Sequence, residues 1–204
     1  MQRMTLLEAI NTMLLDIRMA PLASLEPTEE YPVGLGVYHE GTLAYEALVS
    51  KTREVLSRGW NFNSKRTSLS PSAETSEIQI EDYEGVIDVW AGEGDIPCYM
   101  QDDGYLFNME KNSTIFDRSV TCTIVYGLTF ENLPTPLQSL CLAEARIKFS
   151  GQQRPGEAVG QALSNELAEA KTLAFGWDSR QKRRNMLDNL MNRVHTNRNF
   201  PRRG

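Results

Sequence analysis

TREVLSRGWNFN, residues 52 to 63, is the stretch on which the fold turns. Over residues 36–57, Ala44, Ala47, Leu48 and Val55 recur at helical spacing, a narrow stripe of small residues that lets a second helix approach closely. Arg58-Gly59 then supplies a glycine stop. Past Gly59 the period changes. Short runs rich in aromatic and β-branched residues, punctuated by Gly, Asp, Asn and Pro, predict strands over 60–69, 77–81, 86–90, 96–100, 105–109 and 120–126. Asp103-Gly104 reads as a tight hairpin turn, and Glu93-Gly94-Asp95 as another.

On both sides of this β segment the spacing is helical. Residues 4–18 carry Leu6, Ile10, Met13, Leu14 and Ile17 on one face, with Thr5 and Glu8 placed for a capping box. Residues 134–149, opened by Pro134 and Pro136, are apolar on several faces and predict a central helix. The clearest helix is 155–177, lined by Val159, Ala162, Leu163, Leu167, Ala170, Ala174 and Trp177. The expected class is α+β: about four helices in a bundle, an inserted small antiparallel β-sheet or sandwich, and a basic C-terminal tail. Residues 1–58 and 133–179 form the discontinuous bundle, 59–132 the insertion, and 180–204 the tail with a short amphipathic helix.

Composition narrows the function classes. The 204 residues are 41% hydrophobic and 24% charged, which excludes wholesale disorder. Apolar runs stop at four or five residues, too short for a bilayer, and Glu8, Asn11 and Asp16 interrupt the stretch a signal peptide would need. Cys98, Cys122 and Cys141 are scattered, with no close pair and no CxxC, so they predict small core residues of a reducing cell. His39 and His195 have no second ligand at metal spacing, so neither a metal nor a cofactor is expected. The glycines from Gly34 to Gly41 follow a proline-rich connection rather than a strand and read as loop hinges, not a phosphate cradle. Glu81, Asp82, Glu93, Asp95, Asp102 and Asp103 leave one enzymatic alternative, a glycan hydrolase, because paired carboxylates across a cleft hydrolyse glycosides. Adjacent acids in turns are more often solvated turn residues, and no catalytic residue is assigned.

Charge is distributed unevenly. The last 25 residues hold eight basic side chains against Asp188, a formal +7, while the preceding 179 carry −13 of the net −6. Within that basic segment Leu187, Leu190, Met191 and Val194 fall at i, i+3, i+4 and i+7. A DNA-binding domain would show a basic body as well. An acidic body with a basic, amphipathic end favours docking on an acidic protein surface. The candidate contacts are Arg180, Lys182, Arg183, Arg184 and Arg193 for charge, with Leu187, Leu190, Met191 and Val194 as the apolar face.

Several segments together resemble tail tubular protein A, the head-to-tail adaptor of short-tailed podovirus phages. AINTMLLDIRMAPLASLE resembles that family's opening helix and its Pro-x-x-Ser-Leu-Glu turn. TREVLSRGWNFN is similar to its helix end, Arg-Gly-Trp turn and first strand, and LTFENLPTPLQSLCLAEARIKF to its return from sheet to bundle. Asn185-Met186-Leu187 resembles the Asn-Met-Leu after its last long helix. Arg18 departs from the pattern, standing where the family commonly has Gly, and the insertion matches only in Gly104-Tyr105-Leu106 and Phe116. The resemblance implies a non-enzymatic virion protein of the tail, assembled in the host cytoplasm as a ring, a homododecamer. It implies as partners the portal protein above, the nozzle (tail tubular protein B) below, tail fibres, and genomic DNA passing through the ejection channel without sequence-specific binding. No membrane partner is implied.

Overall fold

The computed structural model describes residues 3–25, 39–81, 83–92, 94–153 and 160–196, with side chains in the last segment described as far as 181. Helix α1, Leu6–Asp16, starts at the expected capping box: Thr5 Oγ1 accepts from the Glu8 N–H at 3.2 Å, and Glu8 Oε2 accepts from the Thr5 N–H at 2.8 Å. Its other end closes as a Schellman motif, Met19 N–H bonding Leu14 C=O at 3.0 Å and Arg18 N–H bonding Leu15 C=O at 2.9 Å. The motif demands a left-handed residue at Arg18, which sits at φ 64°. That is the position where the resemblance expects glycine.

Helix α2, His39–Leu56, buries Ala44, Ala47, Leu48 and Val55 as its stripe predicts. Gly41 is a buried helical residue, not a loop hinge; the glycines at 34 and 36 lie outside the described residues. Helix α3, Thr135–Gln153, is central, packing on α1, α2 and α4 and burying residues around much of its circumference. Its Gln138, 1% exposed, accepts from the Met4 N–H at 3.1 Å and donates to the carbonyls of Met4 and Phe130, each at 3.0 Å. Polar groups of two chain segments entering the core are thereby satisfied. Helix α4 runs Gln161–Thr196 as one element. Sequence spacing expects a helix ending near Trp177 and a second short one beyond it; the backbone instead stays helical through residues 178–180. Residues 155–159, the expected start, lie outside the described residues.

Among the described residues the inserted segment forms five strands: β1 Ser64–Leu69, β2 Val86–Ala91, β3 Cys98–Met100, β4 Leu106–Asn108 and β5 Val120–Tyr126. All pairings are antiparallel, in the order β1-β5-β2 for one sheet and β3-β4 for the other. Two of six expected strands need correcting. The strand expected over 60–69 begins only at Ser64, because 61–63 is a turn. Residues 77–81 make isolated bridges, Glu77 to Ile115 and Gln79 to Tyr105, rather than a continuous ladder. Gly104 turns the β3-β4 hairpin at φ +83°, where a Cβ would meet the Tyr83 ring at 2.5 Å.

Apolar side chains gather in two clusters. One joins α1, α2, α3, Ala170 and Ala174 of α4, and Trp60. The other, inside the sheets, holds Ile78, Leu106, Phe116, Val120 and Cys122. Between them lies the TREVLSRGWNFN stretch. Gly59 adopts φ +70° against the Trp90 ring, where a Cβ would come within 2.3 Å of it. The buried Trp60 indole donates to Val55 C=O at 2.7 Å. Asn63, 3% exposed, accepts from the Trp60 N–H at 2.8 Å and donates to the carbonyls of Leu56 at 3.1 Å and Tyr126 at 2.9 Å.

Two substitutions test these assignments by chemical denaturation. Arg18→Gly relieves the left-handed backbone and is expected to stabilise the protein by about 0.5–1 kcal/mol. Asn63→Ala leaves the buried Trp60 N–H without its partner and removes the bonds to the Leu56 and Tyr126 carbonyls, and is expected to cost about 1–3 kcal/mol. A neutral result for Asn63→Ala would show that the bundle and the sheets do not need this bridge.

Candidate assembly surface

Four kinds of contact tie the first half of α4 to the rest of the molecule. Ala170 and Ala174 are buried against α3, and their small side chains let the two helices approach. Leu163, Leu167 and Trp177 are half-buried, while Ala162, expected on the same stripe, is exposed. Phe175 meets Trp60 at a ring-centroid distance of 5.2 Å, and Trp177 meets Phe62 edge-on at 5.7 Å. Asp178 accepts from the Asn61 N–H at 2.8 Å and from its carboxamide at 2.6 Å. The turn at 61–63 therefore touches α4 as well as α2 and β5.

Charge adds a second set of ties. Arg146 on α3 grips Asp16 of α1 through two hydrogen bonds, 2.7 and 2.9 Å, and also pairs with Glu166 of α4. The hydrogen bond to Asp16, reinforced by both carboxylate charges, raises the affinity of the guanidinium for its proton above the ordinary arginine value. Glu144, 8% exposed, is surrounded by Arg58 at 3.3 Å, Lys171 at 3.8 Å and Lys51 at 4.0 Å. A carboxylate this buried needs such cations.

The candidate docking residues follow on the same helix. Arg180 is exposed on α4. Lys182, Arg183, Arg184, Leu187, Leu190, Met191, Arg193 and Val194 lie on its backbone continuation, and their side chains fall outside the described residues. Helical geometry still relates their positions. At about 100° per residue, positions 187, 190, 191 and 194 share one sector, rotated about 120° from the sector of 163, 167, 170, 174 and 177 that faces the bundle. Leu173, 59% exposed on the docked half, falls in the rotated sector. Between Leu173 and Leu187 that sector is occupied by Gly176, Arg180 and Arg183, so positions 187 to 194 form a separate apolar stripe rather than a continuation of Leu173.

A second surface lies between α2 and the sheets. A groove of about 560 Å³ is lined by Leu6, Tyr45, Val49, Ile87 and Leu128, with Arg53, Glu84 and Glu131 at its polar positions. Val49 and Leu128 are 46% and 38% exposed. Sequence patterning does not predict this groove, since its walls come from four separate segments, at residue 6 and within 45–56, 84–87 and 127–131.

Two of the carboxylates considered for hydrolysis, Asp95 and Asp103, have other partners. Asp95 accepts from the Thr121 N–H at 2.8 Å and the Ile96 N–H at 3.1 Å, and faces Arg118 at 3.5 Å. Asp103 accepts from the Tyr105 N–H within its own turn. Asp102 and Glu81 are exposed; Asp82 and Glu93 lie outside the described residues. Among the described residues no group of three or more His, Cys, Asp or Glu could hold a metal ion, and no helix is long and apolar enough to cross a membrane.

Asp95 yields a prediction in acid. The Thr121 hydrogen bond, then that of Ile96, holds its carboxyl below the usual aspartate range. A depressed folded value stabilises the native state at every pH above the unfolded value of about 3.9, and that contribution disappears as pH falls through the lower folded value. Urea midpoints measured from pH 7 down to 2 are expected to fall more steeply below pH 4 in the parent than in Asp95→Asn. Equal slopes would remove Asp95 from the acid response.

Comparison with known proteins follows the same lines. No curated protein matches the chain. A family model described as Tube, tail tubular protein, matches residues 7–184, which take in the bundle, both sheets and the docked half of α4. The chain belongs to the tail tubular protein family and is a structural component of the phage tail.

Proposed function

We propose that this tail tubular protein is the head-to-tail adaptor: copies close into a ring, a dodecamer, beneath the portal protein and above the nozzle, around the channel through which the genome leaves. The observation that carries this reading is α4. It is locked to the bundle through Ala170, Ala174, Trp177 and Asp178, and then continues without a break into the basic segment. A helix anchored at one end and bearing a new apolar line at the other suits a neighbouring protein. Arg180, Lys182, Arg183, Arg184 and Arg193 would meet acidic groups of the portal, and Leu187, Leu190, Met191 and Val194 its apolar surface.

A ring also needs two different faces on each subunit, one receiving and one inserting. The groove beside Val49 and Leu128 supplies a concave apolar face for the next copy. The −13 of the body would leave a channel lining on which DNA slides, since no counterions would be released by binding to it. Twelve basic ends acting together would hold the ring even where each binds weakly.

Removing residues 180–204 is expected to abolish co-sedimentation with purified portal rings while leaving the far-ultraviolet spectrum of the bundle and sheets in place. Full retention would overturn the docking role of the basic helix. Native mass measurement with and without portal separately tests the ring, and a monomer in both conditions would overturn it.

A further inference from the structure

Cys98 and Cys122 stand 24 residues apart and were expected to be unrelated core residues, yet their Sγ atoms are 3.8 Å apart. Both are reduced and buried, at 7% and 0% exposure. They belong to different sheets. Cys98 opens β3 of the two-stranded sheet, and Cys122 lies in β5, the central strand of the three-stranded sheet. The strand pairings do not connect these sheets; Asp95, which accepts from the Thr121 N–H, and side-chain packing in their shared apolar cluster, to which both cysteines contribute, hold them together. We propose that the pair is a modification site, a cross-sheet dithiol that a small peroxide converts to a Cys98–Cys122 disulfide.

The chemistry balances within the pair and one oxidant. A thiolate Sγ attacks one oxygen of hydrogen peroxide; the O–O bond breaks, leaving a sulfenic acid and hydroxide. The second sulfur then attacks the sulfenic sulfur, the S–O bond breaks, and hydroxide departs as water with the second thiol's proton. Two thiols are oxidised by two electrons and one peroxide is reduced to two waters. Across the 3.8 Å contact either thiol can donate to the other, and the sulfur that accepts is favoured as the thiolate and attacks first. Cys141 is the internal control. It lies in the other cluster, and burial pushes its thiol up to about 12. Burial of the pair selects a small oxidant over a bulky disulfide reagent. The bond would close a loop containing β4 and residues 109–119, so it would stiffen the insertion and leave the bundle unchanged. This inference does not depend on the adaptor reading.

The test uses the full chain with hydrogen peroxide as the oxidant, followed by unfolding, alkylation of free thiols and digestion after Lys, Arg and Glu. That digestion places the three cysteines on separate fragments, residues 94–110, 119–131 and 132–144. The expected product links the first two fragments, leaves Cys141 alkylated, and raises the melting midpoint by about 5–10 °C, reversed by dithiothreitol. Cys141→Ala should give the same product, and Cys122→Ala none. Oxidation of Cys141 as fast as the pair would overturn the proposal. So would persistence of free Cys98 and Cys122 at peroxide levels that oxidise exposed methionines such as Met109. If Cys122→Ala fails to fold, the linked peptide in Cys141→Ala decides the matter alone.

Discussion

Helices satisfy their backbone locally and sheets satisfy theirs across distant segments, so a chain passing from one to the other leaves polar groups without partners at the junction. Here the Asn63 carboxamide meets that need, reaching Leu56 at the end of α2, Tyr126 at the end of β5 and the Trp60 N–H. The rest of the architecture depends on this meeting point. Gly59 bends the chain into it, Trp60 fills the bundle side, and Asn61 next door reaches α4. No apolar contact could replace it, because three directional bonds have to converge on one side chain.

The attachment of α4 follows from a different balance. Its docked half offers little apolar area, only Ala170 and Ala174 being fully buried. Rings and ions complete the docking: Phe175 and Trp177 against Trp60 and Phe62, and Arg146 shared between Asp16 and Glu166. Exposed pairs contribute little by themselves, but Arg146 is mostly buried and bidentate, a geometry that fixes direction as well as distance. The docked half of the helix is consequently held in orientation as well as in position.

Legibility in the sequence divides along the range of the interactions concerned. The α1 capping box needs only Thr5 and Glu8, and the limits of β5 follow from a β-branched run bounded by Ser119 and Gly127; both were readable from a few neighbouring letters. Arg18 at a left-handed position could be inferred only by knowing that glycine is usual there. Misread features rest on distant partners. The turn at 61–63 exists because Tyr126 waits for Asn63, so aromatic Trp60 and Phe62 looked like the start of a strand. Residues 77–81 carry strand-like letters but bridge Ile115 and Tyr105 one residue at a time. In α4, the change of charge after Asp178 suggested a boundary that no glycine or proline imposes. The candidate docking segment was legible as a composition, while its place on the same helix as Ala170 and Ala174 required that helix to be seen as continuous.

Entry and exit of the β layer lie side by side, since Ser64 pairs with Val125 and Asn63 bonds Tyr126. The 60 or so residues between them therefore enter and leave by one doorway, much like a cassette clipped into a frame, with Ile87 of β2 also packed on the bundle. Changes of length in the cassette's outer loops would leave the helices in place, so long as the doorway residues and Ile87 keep their contacts.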